Sequence, residues 1–155
     1  MNRRYICWLG TTSDITVICK RWGLSVAGET ILVIDDSKDQ RDMIADYLRG
    51  KKYRLLFAMD GLKGLKEARE QLPDVILLDL QMKPIDGLEV LRRLQAEKLD
   101  IPVILMTAHG TEEIAVEVFR QGVRDYLIKP YTVGDLETAL SRVLKEARWR
   151  GEEIR

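Results

Sequence analysis

Nowhere in this chain of 155 residues does an apolar run approach the roughly 18 consecutive residues that a membrane-spanning helix requires. No membrane span is therefore expected. The glycine-rich loops that cradle nucleotide phosphates are also missing, since neither G-x-x-x-x-G-K-[ST] nor G-x-G-x-x-G occurs. Charge of one sign is absent too: 25 basic residues stand against 25 acidic ones, so the overall balance argues for neither nucleic acid nor an acidic membrane as a ligand. There is one histidine, His109, and there are two cysteines, Cys7 and Cys19. Thr11-Thr12-Ser13-Asp14 breaks the early apolar run and spoils it as a signal peptide. A chain without a secretion signal is expected to keep its cysteines as thiols and to work in the cytoplasm.

The first 28 residues differ from the rest. They hold both cysteines and two of the three tryptophans, Trp8 and Trp22, and residues 1 to 27 carry a net +3 that leaves the body at −3. Residues 1–28 are expected to be an extension of uncertain order, with an internal start near Leu24 or Val26 as an alternative. Residues 29–149 are read as one domain, regular in pattern from Thr30, and residues 150–155 as a tail.

Pro73-Asp74-Val75-Ile76-Leu77-Leu78-Asp79-Leu80-Gln81 is the stretch that organises this body. It is short, apolar and rich in branched residues, as a strand buried on both faces should be, and it stops on a carboxylate. Thr30 to Ile34 runs likewise into Asp35-Asp36, Pro102 to Met106 into Thr107-Ala108, and Asp125 to Ile128 into Lys129-Pro130. Tyr53 to Ala58 makes a fifth strand. Between them lie helices expected to turn inward Met43, Ile44, Tyr47 and Leu48; Leu62, Leu65, Ala68 and Leu72; Leu88, Leu91 and Leu94; Ile114, Ala115, Val118 and Phe119; and Leu136, Leu140, Val143, Leu144 and Ala147. Ser37 and Thr111 are expected helix caps, and Gly50 and Gly122 expected helix ends. Strands alternating with helices require crossovers, so the fold predicted is a three-layer α/β/α sandwich around a five-stranded parallel sheet with both faces covered. Ligands of such sheets bind at the carboxyl ends of the strands.

If those ends are neighbours, Asp35, Asp36, Asp79 and Lys129 converge. Crowded carboxylates raise one another's pKa unless a cation compensates. Mg²⁺ suits the site as a hard ion that takes one or two carboxylates, keeps waters and binds phosphate oxygens. Three negative charges are then met by the ion and by Lys129. A phosphoryl group is the natural incoming anion, and a carboxylate can be its in-line nucleophile, forming an acyl phosphate. Asp79, alone at the end of the central strand, is the best placed. Thr107 would offer a hydroxyl and Ala108 a backbone N–H to the phosphoryl oxygens.

The runs ILVIDDS, PDVILLDLQMKPIDG, VILMTA and DYLIKP resemble, in content, order and spacing, the receiver domain of two-component response regulators over residues 30 to about 148. The resemblance implies a flavodoxin-like sheet of order 2-1-3-4-5 and a signalling domain that is no enzyme beyond handling its own phosphoryl group. It implies Asp79 as phosphoacceptor, supplied by a sensor histidine kinase or a histidine phosphotransfer protein. It also implies Asp36, Asp79 and the Gln81 carbonyl as direct Mg²⁺ ligands, Asp35 acting mainly through water, Lys129 on the phosphoryl oxygens and a cis Lys129-Pro130 bond. Thr107 and Tyr126 would be a switch pair reshaping the surface of the fourth helix, fifth strand and last helix. Gln81 and His109 would tune the lifetime of the acyl phosphate. With His109 the sole histidine, the donor must lie on another molecule or on a segment absent from this sequence. Lys83 before Pro84 is a mild departure from the family pattern.

A haloacid-dehalogenase-type phosphatase would want an acid where Gln81 stands. The remaining alternatives are an unphosphorylated docking module and the receiver portion of a longer hybrid kinase or regulator. Too few residues follow the last helix for a DNA-binding or catalytic output, so no direct nucleic-acid contact is expected of these residues. Their downstream partner is not specified, and homodimerisation is left open.

Overall fold

The computed structural model describes residues 28–153, with side chains through Ala147. The expectations for the N-terminal extension and its two cysteines lie outside the described residues, as does the last part of the tail. Among the described residues, five strands alternate with five helices: β1 (Glu29–Ile34), α1 (Lys38–Tyr47), β2 (Tyr53–Ala58), α2 (Gly61–Gln71), β3 (Val75–Asp79), α3 (Gly87–Ala96), β4 (Val103–Thr107), α4 (Glu112–Arg120), β5 (Asp125–Ile128) and α5 (Val133–Glu153). All neighbouring strands pair parallel, in the order β2-β1-β3-β4-β5.

The two-residue period of a strand divides the core in two. Leu32, Ile34, Ile76, Leu78, Val103 and Leu105 point to one layer, where Leu65, Ala68, Val90, Leu91, Leu94 and Val118 of α2, α3 and α4 cover them. Ile31, Val33, Val75, Leu77, Ile104 and Met106 point to the other, covered by Ile44 and Leu48 on the α1 side and by Leu136, Leu140, Val143 and Leu144 of α5. β1, β3 and β4 are thus buried on both faces. Complete burial of an aliphatic side chain contributes roughly 1.5–3 kcal/mol, which is why these three strands read as unbroken apolar runs. The outer strands differ from expectation. Phe57 of β2 is 41% exposed and Ile128 of β5 is 52% exposed, because an edge strand has a neighbour on one side only.

Local capping sets where the helices start. Ser37, Asp60, Asp86 and Thr111 each accept a hydrogen bond from a backbone N–H of the first helical turn. Gly50 and Gly122 hold φ of 76° and 84°, the left-handed region that glycine enters without a Cβ clash. Two inward assignments fail. Leu62 is 47% exposed, since the buried face of α2 is Gly61, Gly64, Leu65 and Ala68. Gly64 lets the helix approach the sheet so closely that a Cβ there would lie 2.4 Å from the Ile34 side chain, and Gly61 makes the same kind of room for Ile85 and Val90. Phe119 is half exposed as well, because α4 buries only Val118 fully.

Candidate functional site

Strand register brings the polar strand ends together. Ile34 pairs with Leu78, Asp79 with Met106 and Thr107 with Ile128, so Asp35, Asp79, Thr107 and Lys129 emerge along one edge of adjacent strands. Backbone bonds extend the ladder past the strand ends: Asp35 N–H donates to the Ala58 carbonyl, Leu80 N–H to Met106 and Lys129 N–H to Thr107. The residues at this edge are therefore tied by backbone hydrogen bonds to the strand beside them.

Asp35 has no solvent exposure, and Asp79 has 5%. The Lys129 ammonium lies 3.3 Å from Asp35 Oδ2 and 3.3 Å from Asp79 Oδ1, bridging the two carboxylates. Asp35 Oδ1 accepts from Ser37 N–H at 2.9 Å, and Asp79 Oδ1 accepts a longer bond, 3.4 Å, from Gln81 N–H. Burial and the neighbouring Asp35 charge push the Asp79 carboxyl above its usual range, against the opposing pull of Lys129 and the Gln81 amide. Asp36 sits on the exposed side of the pair. Ligand oxygens of Asp35, Asp36 and Asp79 lie within 4.8 Å of one another. Three hard oxygen donors whose charge exceeds that of the single ammonium fit a divalent cation such as Mg²⁺.

Thr107 is fully buried, and its hydroxyl is bound in a tight turn, accepting from His109 N–H at 3.1 Å and donating to the His109 carbonyl at 3.3 Å. Ala108, His109 and Gln81 are exposed around the mouth. The Lys129-Pro130 bond is cis, as expected, and Lys83-Pro84 is cis as well. Tyr126 packs its ring among the partly buried residues of the α2-α3-α4 layer. Its hydroxyl is buried without a hydrogen-bond partner.

Of three further contributors, Gly87 closes the motif PDVILLDLQMKPIDG, while Arg41 and Tyr131 carried no readable signal. Arg41, six residues after Asp35, donates from Nη1 to the Asp35 carbonyl at 2.7 Å and so holds the loop that carries both acids. Gly87 lets the start of α3 rest against β3, where a Cβ would lie 2.6 Å from the Asp79 carbonyl oxygen. Tyr131 is buried beneath the site and donates to Met106 Sδ at 3.3 Å. Its phenol is pushed well above its usual range by burial and then by the Asp35 charge. An arginine on a helix and an aromatic in a loop match many other roles equally well.

A parallel sheet of this order with acids, a hydroxyl and a lysine at its carboxyl edge defines a class of signalling domain. The family model described as the response regulator receiver domain matches residues 31–141, and the chain belongs to that family. It is 38% identical over 118 residues to the transcriptional regulatory protein ZraR of Klebsiella oxytoca, covering 76% of this chain and 27% of that protein. It is 35% identical over 122 residues to the phosphate regulon transcriptional regulatory protein PhoB of Pseudomonas aeruginosa, covering 77% and 53% respectively. The chain thus spans between about a quarter and about half of these curated relatives. Among solved structures it is similar to the signal receiver domain of a putative Luxo repressor protein from Vibrio parahaemolyticus, with a TM-score of 0.77 and 26% identity over 79% of this chain and 95% of that one. The receiver domain of Francisella response regulator 1452 aligns with a TM-score of 0.73 and 28% identity over 77% and 98%.

Proposed function

We propose that this receiver is a phosphorylation switch in which Asp79 takes a phosphoryl group from a histidine of a partner kinase or phosphotransfer protein. The observation that carries the reading is the lone Asp79 carboxylate at the end of β3, bridged to Asp35 by the Lys129 ammonium at 3.3 Å and backed by Asp36 on the open side. An Asp79 oxygen attacks phosphorus in line while the bond to the donor nitrogen breaks. The electron pair of that bond stays on the histidine. Mg²⁺ would be held by Asp36, Asp79 and the Gln81 carbonyl, with Asp35 acting mainly through water, and it supplies charge neutralisation at the phosphoryl oxygens. Lys129 would leave Asp79 to meet those oxygens, and Ala108 N–H would add a neutral donor.

Phosphorylation adds charge where Thr107 is locked to His109. The Thr107 hydroxyl would release the turn and donate to the phosphoryl group, and Tyr126, beside the same loop, would register the change on the face of α4, β5 and α5. That is a two-state element biased by a local charge. Val116, Phe119 and Ile128 on this face are each about half exposed, so it has apolar surface to offer a partner. The named relatives are transcriptional regulators longer than this chain, which supports reading it as the receiver portion of a regulator whose output lies elsewhere. Gln81 and His109, flanking the mouth, would set how long the acyl phosphate survives. The reading places the protein in the cytoplasm with its kinase; no helix among the described residues is long and apolar enough to cross a membrane.

Incubation with acetyl phosphate and Mg²⁺ followed by intact mass tests it. One phosphoryl group should be gained by the wild type, and none by Asp79→Asn or without Mg²⁺. A folded wild type that gains nothing under any condition would instead be a docking module.

A further inference from the structure

Tyr126 presents an anomaly beside the site. Its hydroxyl is buried yet makes no hydrogen bond, which costs free energy unless something else favours the position. The ring itself packs on the α2-α3-α4 layer of the core. What lies over the hydroxyl is Gly110, in the loop between β4 and α4. A Cβ built on Gly110 would stand 2.2 Å from Tyr126 Oη and 3.0 Å from two carbons of the Ile128 side chain. The φ of Gly110 lies outside the left-handed region, so the backbone there would accept other residues. Room for the phenol, and not backbone conformation, is what glycine supplies at this position.

We infer that Gly110 is the residue that lets Tyr126 rest inward before any phosphoryl group arrives, so that the side chain at position 110 sets the resting balance of the switch. The inference rests on the reading of Thr107 and Tyr126 as a switch pair. An aromatic ring is stiff along its axis and cannot retract its hydroxyl; a methyl group at 110 would meet it at 2.2 Å, and the ring is expected to swing out toward solvent. The turn that carries Gly110 is the one Thr107 holds through both polar atoms of the His109 backbone. Ring position and loop position are therefore coupled through a single residue step. A receiver whose ring is already inward has part of the conformational change in place. Its α4-β5-α5 face should bind partners to some degree without phosphorylation, because affinity scales with the fraction of molecules in the competent state.

Fluorine NMR of protein labelled with 3-fluorotyrosine reads the ring directly, with the Tyr126 signal assigned by its loss in Tyr126→Phe. A soluble gadolinium chelate broadens rings that face solvent. Without any phosphodonor, the wild-type Tyr126 signal should resist the chelate, and that of Gly110→Ala should broaden several-fold more. Stability supplies the second arm. Gly110→Ala should destabilise the domain far less in a Tyr126→Phe background than in the wild type, because the atom it meets at 2.2 Å has gone while its contacts with Ile128 are common to both. A Tyr126 signal already exposed in the wild type would overturn the inference. So would one that stays shielded in folded Gly110→Ala, or additive stability effects. All arms are read on unphosphorylated protein, so a failure of acetyl phosphate to modify Asp79 would count against the preceding function while the ring position decides this one.

Discussion

Replacing Lys129 with methionine isolates what its charge does at the site. Methionine keeps most of the length and volume of the side chain, and it removes the ammonium that lies 3.3 Å from both Asp35 Oδ2 and Asp79 Oδ1. At an effective dielectric constant of about 20, each contact is worth about 5 kcal/mol before the desolvation of the three groups is set against it. The net loss has a ceiling, because one carboxylate can take up a proton instead. Starting from an ordinary carboxyl value of 3.8, protonation near pH 7 costs about 4 kcal/mol. Breaking buried pairs typically costs about 3–5 kcal/mol, so Lys129→Met should lose about 3–4 kcal/mol in Mg²⁺-free buffer. For a domain of this size that is a fall of about 10–20 °C in Tm. The deficit should shrink as the pH is lowered toward the carboxyl range, since the proton then arrives at little cost. It should also shrink with saturating Mg²⁺, which restores positive charge between the acids. Urea unfolding of wild type and variant, with and without Mg²⁺ and across pH, measures all three. A Mg²⁺-free loss below about 1 kcal/mol, or a loss indifferent to both pH and Mg²⁺, would refute the electrostatic account of the site.

Three further expectations follow from single distances or burials. Asp79 has a folded pKa above its unfolded value, so the stability it contributes is complete below about 3.8 and is lost as the pH rises through the folded value. Asp79→Asn should accordingly raise the neutral-pH Tm of the Mg²⁺-free protein and lose that advantage in acid; a lower Tm at neutral pH would contradict the sign. Tyr126→Phe deletes a buried hydroxyl with no partner and should stabilise the domain by about 1 kcal/mol in chemical denaturation, where a comparable loss would mean that the hydroxyl is satisfied in solution. Gly87→Ala places a methyl group 2.6 Å from the Asp79 carbonyl oxygen and 2.9 Å from Leu80 Cα, backbone that cannot turn aside. It should cost about 1–3 kcal/mol and slow acetyl phosphate modification of Asp79. A variant as stable and as fast as wild type would show that the helix start can shift.

Much of the molecule was legible in its residues because the physics involved is local. β1, β3 and β4 are apolar on both faces, so their runs admit few structures besides central parallel strands, and the capping residues mark helix starts within a turn. The polar residues that follow those runs were legible for the same reason, since a buried strand carries its first polar residue to the sheet edge. Leu62 and Phe119 were misplaced because counting apolar side chains cannot register a helix face built from glycines, nor a helix that rests lightly on its sheet. Gly110 gave no signal, since it matters for the Tyr126 ring across from it, and neither did Arg41, whose bond to the Asp35 carbonyl depends on the path of the loop between them.

The sequence by itself therefore determined the alternation of strands and helices, the apolar centre of the sheet and the identity of the groups delivered to its edge. Its motifs, through resemblance, also implied the strand order and the family. Tertiary structure alone decided distances and environments. It buried Asp35 completely while leaving Asp36 open, set Lys129 between two carboxylates, and closed a loop over an unpartnered Tyr126 hydroxyl with only a glycine's room to spare. Propensity and capping act between residues a few positions apart, whereas pKa and steric room depend on atoms brought together from positions as far apart as 35, 79 and 129, and only the folded chain sets the Lys129 ammonium 3.3 Å from both carboxylates.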